Sequence, residues 1–165
     1  CSLSGPASVG GQGPGMAVAA HSAGSLSSAE GFELANREAL SWDAGARLAR
    51  IEGESLALGY MIGDWTYTWV SPRKPREVLQ VVRSDRDVMV RPPTFMKGLE
   101  PLSETMLLDS RQVVAVAERN GLVSRKVHRF VLDQANEQHR PVWTLETPEG
   151  QFRIDARTGL VLAHP

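Results

Sequence analysis

The sequence predicts an α+β protein: two repeated units, each a helix packed on an antiparallel β-sheet, following an extended N-terminal tether. Three observations predict it. Residues 1–28 carry Gly5, Gly10, Gly11, Gly13, Gly15 and Gly24, two prolines and many Ser and Ala, but no Lys, Arg, Asp or Glu. Such a composition cannot bury enough apolar surface to offset its backbone entropy. Further on, two segments place apolar residues at helical spacing behind capping signals. Each is followed by short strand-like runs, and the order helix–strand–strand–hairpin recurs at about 73 residues, as from Leu79-x-Val81 to Phe152-x-Ile154.

The first helix is expected at Ala29–Trp42. Ser27 and Glu30 form a capping box, and Phe32, Ala35, Ala39 and Trp42 share a face. Strands follow at Ala46–Ile51, Trp65–Val70 and Val78–Val90, the last with a turn at Ser84–Asp87. The proline-bearing run from Arg91-Pro92-Pro93 to Pro101 reads as a linker. The second helix is expected at Ser110–Asn120. Asp109 is its N-cap with Gln112 three residues on, Val113, Val116 and Ala117 lie on one face, and Gly121 suits a C-terminal cap. Its strands are Val123–Leu132, Val142–Thr147 and Gln151–Ala163, with a turn at Arg157-Thr158-Gly159. The expected organisation is a tether at 1–28, a first unit at 29–91, a linker at 92–107 and a second unit at 108–165.

Composition narrows the function. The 165 residues carry a net charge of −1 with an isoelectric point near 6.5, which argues against nucleic-acid partners. The chain has a single cysteine, Cys1, so no internal disulfide can form. No run approaches the roughly 20 apolar residues of a membrane-spanning helix. Gly11-x-Gly13-x-Gly15 follows no strand and is interrupted by Pro14, a poor nucleotide loop. The four histidines (His21, His128, His139 and His164) fall at no metal-ligand spacing. Asp85-Arg86-Asp87 lacks the further ligands of a calcium loop and reads as a turn. Catalytic signatures are missing, so the sequence predicts no enzyme, no metal and no soluble cofactor.

Two clusters remain as candidates for contact. Trp65, Tyr67 and Trp69 alternate with Thr66 and Thr68, so the three rings share one face of a strand. They read first as core, and second as a stacking platform or a hot spot for a partner. Ser71-Pro72-Arg73-Lys74-Pro75-Arg76 sets three cations, Arg73, Lys74 and Arg76, in four residues between prolines. This is a solvated loop or a contact for an acidic surface. Phe95 and Met96, in the linker, are further contact candidates.

Two resemblances add to this reading. Cys1-Ser2-Leu3-Ser4-Gly5 resembles the N-terminus of a mature bacterial lipoprotein. The resemblance implies a thioether-linked diacylglycerol and an acylated amine on Cys1, and attachment of the protein to a membrane through that lipid. The stretch Phe152-Arg153-Ile154-Asp155-Ala156-Arg157-Thr158-Gly159-Leu160-Val161-Leu162, with Pro141–Leu145 before it, resembles the closing hairpin of the PepSY family. Ala39–Asp43 resembles the end of that family's first helix, although Ser84–Asp87 replaces the Thr-Gly turn in the first unit. The PepSY resemblance implies a small helix-plus-sheet fold in secreted and envelope proteins. It also implies roles in protease inhibition, as propeptides or as accessory and sensory modules, with no catalytic residues to carry over.

The expectation is a non-catalytic, lipid-anchored protein of the bacterial envelope, periplasmic or at the outer membrane. It would act as a protein-binding accessory subunit of a larger membrane-associated assembly. Alternatives are an inhibitor or chaperone of a secreted protease, and a small-ligand-binding protein using the aromatic strand.

Overall fold

The computed structural model describes residues 26–165, apart from 56–61, 85–86, 104–105, 125 and 135. The chain runs α1 (Phe32–Trp42), β1 (Arg47–Ser55), β2 (Ile62–Val70), β3 (Val78–Ser84) and β4 (Val88–Thr94). It continues as α2 (Ser110–Arg119), β5 (Arg129–Asp133), β6 (Val142–Thr147), β7 (Gly150–Asp155) and β8 (Val161–Ala163). The expected tether, with Cys1, lies outside the described residues but for its last three, Leu26–Ser28.

All eight strands join one antiparallel sheet in the order β4-β3-β2-β1-β5-β6-β7-β8. This corrects the expected fold: the described chain is mostly a single sheet with two short helices, not two repeated helix-on-sheet units. The correction rests on β1 and β5. Each was expected in the sheet of its own unit, yet they pair with each other from Arg50↔Asp133 to Glu54↔Arg129. Backbone groups along a sheet edge need partners, and here each four-stranded meander supplies them to the other.

Both faces of the seam are reinforced. On the helix side, Trp65 of β2 meets Phe130 of β5 and Trp143 of β6 edge-on, with ring centroids 5.7 and 6.3 Å apart. Gly53 stands directly across from Trp65 in the register. A side chain there would push into the indole, since an added Cβ would lie 2.6 Å from Cζ3. On the opposite face Arg50 pairs with Asp133 at 3.0 Å, and Arg129 pairs with Glu52 at 2.7 Å. One hydrophobic cluster runs beneath both helices, from Leu79 and Val81 in β3 to Phe152 and Ile154 in β7.

Local signals explain the element ends. At α2, Asp109 N–H donates to Gln112 Oε1 (2.8 Å), the expected capping box. The box at Ser27 and Glu30 also forms, with Ser27 N–H donating to Glu30 Oε2 at 2.6 Å, but one turn ahead of regular α1. Gly121 has φ +106° just past α2, where only glycine is unstrained. β4 continues through Pro92 and Pro93 because it is an edge strand, where a missing N–H costs no ladder bond. After it, Leu102 N–H donates to Leu48 O (2.7 Å) and Leu108 N–H to Ala156 O (2.7 Å), which laces the connection to both halves.

Candidate functional site

The sheet brings two of the expected contact segments together. Pairing of Val78 with Thr94 sets the β2–β3 loop beside the residues that follow β4. Lys74 and Pro75 from the loop, with Phe95, Met96 and Lys97 from beyond β4, line a cavity of about 500 Å³. Phe95 is 58% exposed, and Arg73 and Arg76 are exposed on the loop. Lys74 has a structural task. Its Nζ donates to Trp42 O (3.1 Å), the last residue of α1, and lies 4.6 Å from the centroid of that indole. Met96 is half-buried, and its Sδ accepts from Gln80 Nε2 at 3.7 Å. The cavity lining thus gathers an exposed aromatic ring, two cations, Lys74 and Lys97, and one acid, Glu77.

Trp65, Tyr67 and Trp69 lie elsewhere, beneath the helices, and each is at most 2% exposed. Trp65 Nε1 donates to Leu26 O (2.7 Å), and the Tyr67 hydroxyl donates to Ser28 O (2.6 Å). Burial, and then the negative charge of Asp109, hold the Tyr67 phenol well above the ordinary range, so it stays a donor. Asp109 itself gathers the chain entry: its Oδ1 accepts from Ser28 Oγ (2.7 Å) and Ala29 N–H (3.0 Å).

Sequence reasoning missed a second cavity of about 520 Å³ between α1 and the residues that lead into α2 (Leu102, Ser103, Leu107, Leu108 and Asp109), over the β1–β5 seam. Phe32, Leu48, Trp69, Leu108 and Trp143 form its apolar wall, with Arg47 and Asp109 among its polar lining. These residues come from both halves of the chain, so no local pattern marks them. The indole N–H of Trp69 is buried and has no protein partner among the described residues, whereas that of Trp143 donates to Leu108 O at 2.8 Å.

Among the described residues no group of His, Cys, Asp and Glu could hold a metal ion, and no helix is long and apolar enough to cross a membrane.

No family model matches the chain, and no curated protein matches it. The fold is similar to a crystal structure from Clostridium difficile 630 of a protein provisionally described as a lipoprotein. The TM-score is 0.54 at 14% identity, over 78% of this chain and 88% of that one. At that identity the likeness concerns the fold.

Proposed function

We propose that this protein is a non-catalytic, lipid-anchored subunit of the bacterial envelope that docks onto another protein through the surface around Phe95. The observation that carries this reading is the meeting of the β2–β3 loop with the residues after β4, which sets the exposed ring of Phe95 in one cavity with Lys74, Lys97 and Glu77. Exposed rings of this kind at the centre of a polar surface supply most of the energy in protein interfaces. Lipid attachment at Cys1 is supported by the N-terminal sequence and by the fold shared with a provisionally described lipoprotein.

A photo-crosslinking residue placed at Phe95 or at Arg76 should capture one and the same envelope protein in living cells. The same residue at Gln151, exposed on β7 far along the sheet, should not. Equal capture at all three positions, or different proteins at Phe95 and Arg76, would remove this surface. The intact mass of native protein should exceed the 18.0 kDa polypeptide by its acyl groups, and a free Cys1 thiol in native material would end the anchor reading.

One observation favours a second reading, in which the cleft beside α1 holds a small apolar ligand. It is the apolar wall that Phe32, Leu48, Trp69, Leu108 and Trp143 give to a cavity of about 520 Å³. Native mass spectrometry of protein purified without detergent exchange would show a retained small molecule. A bare polypeptide would argue against it.

A further inference from the structure

We infer that β4 is a self-complementary edge that pairs antiparallel with β4 of a second copy of this chain. The run Asp87-Val88-Met89-Val90-Arg91 reads acid, β-branched, Met, β-branched, base. Turned end for end it meets itself with opposite charges at both ends and like apolar residues between. The structure places this palindrome where it can be used. β4 is the outermost strand of the sheet, and all of its residues are exposed, Val88 at 38%, Met89 at 53% and Val90 at 44%. An outermost strand also presents one row of backbone N–H and C=O groups without a neighbouring strand.

A two-fold axis through Met89 sets the register. Val88 of one copy then faces Val90 of the other, and Asp87 faces Arg91. Side chains alternate across a strand. Val88 and Val90, opposite Arg83 and Val81 of β3, therefore lie on the helix side of the sheet, while Asp87, Met89 and Arg91 share the other side. The pairing thus builds one apolar patch of four valines and, on the reverse, two Met side chains between two Asp–Arg pairs. Arg91 already donates Nη1 to Gln80 Oε1 (3.2 Å) within its own sheet, which holds the side chain near the edge and leaves its other N–H groups for a carboxylate. Pro92 and Pro93 limit the pairing to this run, because neither can donate to a new ladder. An isologous contact of this kind closes on itself and gives a dimer, not a filament. Pairing of a few residues covers much less than the roughly 1,600 Å² of a standard interface, so the dimer is weak and is best read by crosslinking.

The test uses the whole chain with Cys1→Ser, so that an introduced cysteine is the sole thiol. Residues directly opposite in an antiparallel pair have Cα atoms about 4.5–5.5 Å apart, within disulfide range. Under mild oxidation, Met89→Cys should form a linked dimer roughly 100 times faster than random collision couples an exposed thiol at the same concentration. Ala115→Cys, exposed on α2, supplies that collision reference. Val88→Cys alone and Val90→Cys alone should couple poorly, being two positions out of register, whereas a mixture of the two should couple as well as Met89→Cys. Adding Arg91→Asp to Met89→Cys should slow coupling about tenfold through like charges at both ends, and adding Asp87→Arg as well should restore it. Far-UV and near-UV circular dichroism of each variant confirms that the fold is retained. The inference is overturned if Met89→Cys couples no faster than Ala115→Cys, if Val88→Cys alone matches the mixture, or if the double charge reversal gives no recovery. A distinct envelope protein occupying β4 in cells would also overturn it.

Discussion

At the residue scale, the polar contacts that join the chain entry to both helices depend on Tyr67 and Asp109. Tyr67→Phe removes the donor to Ser28 O and strands a carbonyl on a residue that is only 3% exposed. Leaving a buried acceptor unmet costs about 1–3 kcal/mol, and urea denaturation should show a loss of that size. The raised pKa of Tyr67 gives a signed pH dependence. Its contribution is fully present below pH 10.0, the ordinary phenol value, and is lost as pH rises above it, because the unfolded chain ionises first. Thermal melts of the wild type should therefore decline more steeply above pH 10 than those of Tyr67→Phe, and parallel declines would remove Tyr67 from the account. Asp155 acts at the other end of the scale. Burial pushes its carboxyl up, but the N–H groups of Arg157 and Thr158 outweigh burial and bring it below the ordinary value. Its stabilisation is present above pH 3.8 and is lost as pH falls further, so Asp155→Asn should flatten the acid limb of stability.

At the scale of elements, turns decide where the sheet may bend. Gly159 closes the β7–β8 turn with φ +73°, and its N–H donates to Asp155 O at 2.9 Å. A Cβ there would also meet Leu108 Cδ1 at 3.3 Å. Gly159→Val should cost on the order of 1 kcal/mol or more, and a change within error would exclude the left-handed turn. This turn was legible because Asp155, Thr158 and Gly159 are consecutive partners in one short run. Both helices were legible for the same reason, since Asp109 with Gln112 and the spacing of Val113 and Ala117 act within single turns. β5 was harder to place. Alternation suggested a strand from Val123, but Leu122 N–H turns back to Ala117 O (3.0 Å) and Ser124 binds Glu149, so pairing begins only at Arg129. The cavity beside α1 and the meeting of Phe95 with Lys74 and Pro75 depend on which strands are neighbours, and no local pattern of residues carries that.

At the scale of the whole molecule, the join between β1 and β5 makes the two halves share one core, and this sets how the protein unfolds. Trp65 comes from one half and Phe130 and Trp143 from the other, yet the three rings contact one another edge-on. Neither half retains this packing without its neighbour. Gly53→Ala tests the coupling at the tightest point, because its Cβ would stand 2.6 Å from the Trp65 ring, itself held against Phe130 and Trp143. Overpacking of this kind costs about 1–3 kcal/mol. The loss should appear equally in both halves. Amide exchange followed through urea unfolding should give coincident midpoints for β2 and β7, in the wild type and, shifted together, in the variant. Were β2 to lose protection at lower urea than β7 after Gly53→Ala, the halves would be separate cooperative units and the shared core would not govern folding.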